Sequence, residues 1–261
     1  MSHGIDYSRL DQPGILRFVF YPRPDWSPPP PGASDHAVVV EEGISIGCRF
    51  YPTSLAAPSI LYFHGNGEVV YDYDGIAPLY SREGINLFVA DYRGYGRSSG
   101  MPSFSSTVSD SHEVFRYFAD TLGTGGYTGP LFIMGRSLGS LSAVELAASG
   151  LPEVKGLIIE SGFASAARLL GYLGVGIGSP ELEDFDRSSL ERIRSITMPV
   201  LLIHGERDQI IPHSQAEVFY QNVGSADKTL LSVPHAGHND LMLVGMDEYF
   251  AAIREFVQGH A

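Results

Sequence analysis

Cysteine is nearly absent from this chain of 261 residues: Cys48 stands alone. That excludes an intramolecular disulfide and a thiolate metal cluster. Cys48 falls in the β-rich run 44–50, where it reads as a small buried hydrophobe. No apolar run approaches the roughly twenty residues that a membrane-spanning helix needs, so no membrane span is expected. Positive charge is also scarce. There are 17 Lys and Arg against 30 Asp and Glu, a formal net charge of −13. This balance argues against nucleic acid or an anionic membrane surface as a partner, and solubility accounts for it. The opening residues Met1 to Asp6 lack a basic segment followed by an apolar one. No secretory signal is therefore expected, and the protein is expected in the cytoplasm.

Apolar residues are plentiful. They make up 44% of the chain, enough for the well-buried core of one large domain. Residues 1–35 are expected to form an irregular arm on the surface, because Pro22, Pro24 and Pro28 to Pro31 oppose a helix. Phe18 to Tyr21 reads as an edge strand at most, with Phe20, Tyr21 and Trp26 as anchors. The domain proper is expected over 36–261. It starts with a hairpin of 36–42 and 44–51 that turns at Glu42-Gly43. Short apolar runs follow at 59–63, 86–90, 131–134, 154–159, 200–203 and 229–233. They are continuous rather than alternating, as strands covered on both faces are. Helical segments are expected between them at 71–81, 107–122, 137–149, 212–223 and 241–258, on both faces of a parallel sheet. The connection from Glu160 to Pro199 is longer than the rest. It reads as a crossover enlarged into a short lid over about 163–197, apolar in its first half and a charged helix from Pro180 to Arg194.

Gly135-Arg136-Ser137-Leu138-Gly139 sits between an apolar strand and a helix-like segment. In that context Gly-x-Ser-x-Gly reads as a nucleophile elbow. The sharp turn excludes side chains two residues either side of Ser137, and the helix N-terminus below it favours negative charge. A serine nucleophile needs a base, and the base needs an orienting acid. Asp208 and His238 follow later strands, so all three residues converge on the C-terminal edge of the sheet. Glu160 and Glu206 are alternatives to Asp208, and His235 to His238. Gly237 is read as the permissive turn that favours His238. His64 and His204 read as structural residues bonded to nearby backbone. The Leu138 N–H is one expected oxyanion donor. The second is expected from His64-Gly65-Asn66-Gly67, with Asn66 as first choice and Gly65 or Gly67 as alternatives. Leu169, Leu170, Tyr172 and Leu173 are candidate substrate contacts. His235, His238 and Asp240 are crowded, but no set of residues has recognisable metal-ligand spacing, so neither a metal nor a cofactor is expected. The expected partner is a small-molecule ester or other acyl substrate. The fold also hosts thioesterases, amidases, peptidases and non-catalytic binding modules.

Taken in order, His64-Gly65-Asn66-Gly67, Asp91 to Ser98, the Ser137 elbow, His204 to Asp208 and Gly237-His238-Asn239 resemble the α/β-hydrolase superfamily. The resemblance runs from about residue 36 to the C-terminus. It is similar above all to short-lidded serine hydrolases known as α/β-hydrolase domain proteins. It implies the α/β-hydrolase fold: a mostly parallel central sheet, helices on both faces and a short lid. Some such relatives cleave acyl esters or thioesters of proteins and lipids. The chain differs from membrane-attached relatives in having no anchor helix at its start and no cysteine cluster for acylation. Arg93, in the Asp91 to Ser98 loop, is expected to tie loops together rather than to act in catalysis.

Overall fold

The computed structural model describes residues 5–172, 174 and 180–261. Eight strands form one sheet: β1 Ser34–Glu41, β2 Ile44–Tyr51, β3 Ser59–Phe63, β4 Asn86–Ala90, β5 Leu131–Arg136, β6 Val154–Glu160, β7 Val200–Gly205 and β8 Lys228–Val233. Their spatial order is β1-β2-β4-β3-β5-β6-β7-β8. β1 and β2 form an antiparallel hairpin, and β2 pairs antiparallel with β4. The remaining pairs are parallel. Gly43 makes the hairpin turn with φ of +75°.

The helices are α1 Pro13–Val19, α2 Ala77–Arg82, α3 Phe104–Thr124, α4 Ser140–Ala148, α5 Ala166–Tyr172, α6 Pro180–Ser195, α7 Ser214–Asn222, α8 Leu241–Val244 and α9 Met246–Gly259. The continuous apolar strands supply two cores at once, because successive side chains face opposite sides of the sheet. Ile60, Tyr62, Leu87, Val89, Phe132 and Met134 pack on one face with Tyr80, Tyr249 and Ile253. Leu61, Phe63, Phe88, Ala90 and Ile133 pack on the other with Phe115, Phe118 and Leu146.

The expected irregular arm over 1–35 is corrected by the structure. Tyr7–Leu10 is a 3-10 turn and Pro13–Val19 is an α-helix. Proline blocks the helix around itself, but Pro13 stands in the first turn, where its missing N–H costs nothing. The other prolines all lie beyond the end of α1. Phe18 to Tyr21 is not an edge strand. Nor is the arm merely superficial: Tyr7, Leu10, Ile15, Val19 and Phe20 are buried in the larger core. The Asp11 carboxylate accepts the Phe104 N–H at 2.8 Å and so caps α3, while Ser103 accepts from Ser106. These caps start α3 three residues before the expected position. The expected helices at 71–81 and 241–258 are each divided. Val70–Asp74 is a 3-10 turn ahead of α2, and Gly245 separates α8 from α9.

Arg49 fastens the hairpin to its surroundings. Its buried guanidinium bonds to Asp35 at 2.6 Å, Asp74 at 2.8 Å and the Ser27 carbonyl at 2.6 Å. Removing the cation leaves two carboxylates facing each other without its charge, held only by the Trp26 indole N–H on Asp35 and the Tyr51 hydroxyl on Asp74. Arg49→Leu is therefore expected to lower unfolding free energy by about 3 kcal/mol, measured by urea denaturation.

Candidate active site

β5 ends in the turn that carries Ser137, whose φ of 50° is left-handed. A non-glycine residue holds that conformation only when its surroundings impose it. They do so by close packing. A Cβ on Gly135 would lie 2.4 Å from the Gly139 carbonyl oxygen, and one on Gly139 would lie 2.0 Å from the Phe63 oxygen. Glycine at both positions lets β5, β3 and the first turn of the following helix approach this closely. Leu138 then stands in that first turn, where helical N–H groups have no partner within the helix.

Ser137 Oγ lies 2.9 Å from His238 Nε2, and His238 Nδ1 lies 2.7 Å from Asp208 Oδ2. The carboxylate only accepts, so Nδ1 carries the proton and Nε2 is left to accept from the serine hydroxyl. Asp208 is itself held firmly. Its Oδ1 accepts the N–H groups of Ile210 at 2.9 Å and Ile211 at 2.7 Å. His204 Nε2 lies 3.3 Å from Oδ2 and 2.8 Å from the Ile211 carbonyl. Burial acts to raise the Asp208 carboxyl, but the hydrogen bonds of His204, His238 and the Ile211 N–H outweigh it. The group is held well below the usual carboxylate range.

The alternative acids are placed elsewhere. Glu160 accepts from Arg136 Nε at 3.1 Å, Tyr62 at 3.1 Å and Tyr249 at 2.8 Å. Glu206 is exposed. His235 is exposed too, and it carries the left-handed turn of its loop with φ of 68°. Gly237 therefore does not serve as the permissive residue expected of it. Asp240 Oδ1 accepts the Gly237 N–H at 2.6 Å, and among the described residues no cluster of His, Cys, Asp and Glu is arranged to hold a metal ion. His64 bonds to the Gly65 carbonyl at 2.7 Å and to Asp91 at 3.0 Å. Arg93 joins Asp110 and Glu41, each at 2.8 Å.

The cleft above Ser137 has a volume of about 340 Å³. Val19, Tyr21, Leu138, Leu169 and Ile210 form apolar walls around Ser137, His238 and Asn66. Of the expected substrate contacts, Leu169 is on the wall. Leu170 is instead sealed in the core at 0% exposure, and Tyr172 is exposed, its hydroxyl bonded to Gln215 at 3.2 Å. The period of α5 explains this, since consecutive helical residues point about 100° apart. Leu173 lies outside the described residues. On the loop after β3, the Gly65 N–H is taken by Glu68 at 2.9 Å, which leaves it nothing to donate to an oxyanion, while Asn66 lines the cleft.

Sequence reasoning missed Arg136, the variable residue of the elbow. Its buried guanidinium donates to the His238 carbonyl at 2.9 Å, to Asn239 Oδ1 at 3.1 Å, to Glu160, and to Glu68 on the loop after β3. Its place beside the serine was the one available signal.

The sequence profile of the family described as Serine aminopeptidase, S33 (Hydrolase_4) matches residues 56–172 and 182–242. The chain belongs to that family of hydrolases, within the α/β-hydrolase superfamily. It is 32% identical to protein bem46 of Schizosaccharomyces pombe over 205 residues, covering 77% of this chain and 67% of that protein. It is 29% identical to α/β-hydrolase domain-containing protein 17C of Xenopus tropicalis, covering 83% and 67%. In fold it is similar to the Pyrococcus furiosus esterase Pf2001, with a TM-score of 0.73 at 17% identity over 92% of this chain and 97% of that one. No helix among the described residues is long and apolar enough to cross a membrane.

The lowered Asp208 carboxyl makes a pH prediction. The unfolded chain binds this proton more readily than the folded one, so the contribution of Asp208 to stability is complete above roughly pH 4 and is lost as pH falls below that. Asp208→Asn is expected to flatten this part of the acid limb in thermal melts recorded from pH 6 down to pH 2.

Proposed function

We propose that the chain is a serine hydrolase that cleaves carboxylic esters through an acyl-enzyme intermediate. One observation carries the reading: His238 bridges Ser137 Oγ at 2.9 Å and Asp208 at 2.7 Å within a cleft with apolar walls. Ser137 Oγ attacks the ester carbonyl carbon while its proton passes to His238 Nε2. Asp208 holds the imidazole and stabilises the cation that forms. The carbonyl oxygen becomes an oxyanion, met by the N–H groups of Leu138 and Asn66, each such donor being worth about 10²- to 10³-fold in rate. Collapse breaks the bond to the alcohol oxygen, which takes the proton from His238. Water then gives a proton to His238 and attacks the acyl carbon. Ser137 leaves with that proton and the carboxylic acid is released. Water is the only co-reactant, so no cofactor is required.

The apolar walls suit a small or medium acyl group on a small-molecule substrate. A short lid over 163–197 suits an open site with little dependence on a lipid interface. The single buried cysteine suits a reducing, cytoplasmic setting. The family description favours one second reading, hydrolysis of amides or peptides by the same three residues, and thioesters require no different groups.

Ser137→Ala is expected to reduce hydrolysis of p-nitrophenyl acetate on the order of 10⁴-fold or more, measured by nitrophenolate release. Activity unchanged in the variant sinks the mechanism. Faster turnover of alanine p-nitroanilide than of the acetate ester moves the assignment to amides. Stoichiometric labelling of Ser137 by a fluorophosphonate, without turnover of any ester, thioester or anilide, makes the site a binding pocket.

A further inference from the structure

The segment before β1 reaches the cleft at two residues, Val19 at the end of α1 and Tyr21 just after it. Phe20, between them, turns the other way and packs edge-on against Phe104 at 5.4 Å. The Asn66 side chain holds this tripeptide from the oxyanion loop. Its Nδ2 donates to the Val19 carbonyl. Its Oδ1 accepts the Tyr21 N–H at 3.0 Å and the Tyr95 hydroxyl at 2.6 Å. The Tyr95 oxygen also accepts the Tyr21 N–H, at 2.9 Å. The primary amide thus pairs with a C=O and an N–H two residues apart, as the backbone of a neighbouring strand does. Asp11 anchors the same segment from its other side by capping α3.

Two features give this arrangement a consequence for catalysis. The first is that a side chain bonded at both ends of its amide fixes its own main chain, and the Asn66 N–H is the donor assigned above to the oxyanion. Oxyanion stabilisation depends on donors already aimed before reaction. The second is that the family match begins at residue 56, so the segment lies outside the matched core and yet supplies cleft wall. Tyr21 is 59% exposed and lines the cleft, outside the core.

We propose that Asn66 is a positioning residue whose side-chain amide clamps Val19 and Tyr21, holding its own N–H towards the oxyanion, and that Tyr21 determines specificity for acyl chains long enough to reach it. The proposal rests on the acyl-enzyme reading of Ser137. It assigns to the site esters whose acyl chain runs along Val19, Tyr21, Leu169 and Ile210.

Steady-state kinetics on p-nitrophenyl acetate and octanoate test it, using the full chain as wild type, Asn66→Asp, Tyr95→Phe, Tyr21→Ala and Ser137→Ala, with circular dichroism to verify folding. Asn66→Asp loses the donor to Val19 and sets a carboxylate against its carbonyl. It is expected to lower kcat about 100-fold on both esters with KM little changed. Tyr95→Phe withdraws one hydroxyl from the same clamp and is expected to lower kcat about tenfold, which keeps the test open if the aspartate variant does not fold. Tyr21→Ala is expected to lower the octanoate-to-acetate ratio of kcat/KM about tenfold, through KM. Wild-type kcat in a folded Asn66→Asp or Tyr95→Phe, or a wild-type ratio in Tyr21→Ala, overturns the proposal and leaves the segment as packing. Equal turnover by wild type and Ser137→Ala overturns the serine reading itself, and no result from Asn66, Tyr95 or Tyr21 produces that outcome.

Discussion

The Arg136 guanidinium is the point at which the separate parts of the site are joined. It lies next to Ser137 in sequence, and its nitrogens reach Glu68 on the loop after β3, Glu160 at the end of β6, and the main chain of His238. A buried cation is costly unless it is paired and hydrogen-bonded on every side. Burial acts to lower its pKa, but the two carboxylates outweigh it and hold the group protonated at any ordinary pH. The carboxylates in turn accept tyrosine hydroxyls, from Tyr73 to Glu68 and from Tyr62 and Tyr249 to Glu160. Burial pushes these hydroxyls well above the usual phenol range, so they remain donors. Loops from three distant strands are thereby held at one set of distances. The His238 loop, bonded to the loop after β7 where the Arg207 N–H meets the Ala236 carbonyl at 2.8 Å, is held a second time by the residue beside Ser137.

That network complements the strain at the elbow. The left-handed backbone at Ser137 is unfavourable in isolation. It persists because Gly135 and Gly139 let β5, β3 and α4 close to contact, with β3 buried at every residue and β5 at every residue after Leu131. The sheet supplies stiffness, and the loops at its C-terminal edge supply chemistry. The N-terminal segment adds a third layer to this division. It contributes buried side chains to the core and main-chain groups to the Asn66 side chain.

Much of the architecture was legible in the residues. The apolar runs at 59–63, 86–90 and 200–203 coincide with or open strands, because a run too short for a helix and apolar at every position suits a sheet covered on both faces. The helical start of the arm is not legible from the prolines at 22, 24 and 28–31, because their effect is local and α1 ends before them. The glycine-rich loop after β3 and the serine, histidine and aspartate that meet in the structure could be picked out from their positions after strands. The partners of Arg136, the Asn66 clamp and the roles of Val19, Tyr21 and Ile210 could not, since each depends on side chains that meet across tens to hundreds of residues.

By itself the sequence determined the class of fold and the candidate serine, base and acid, because these rest on local patterns: hydrophobic period, glycine spacing and position after a strand. The tertiary structure decided which carboxylate faces His238, which apolar residues of α5 face the cleft and which face the core, and that Val19 and Tyr21 form part of the cleft wall. Those outcomes are set by packing and by the directions of individual side chains. Glu160 ends β6 and Asp208 follows β7, and only the approach of Arg136 to one and of His238 to the other separates them.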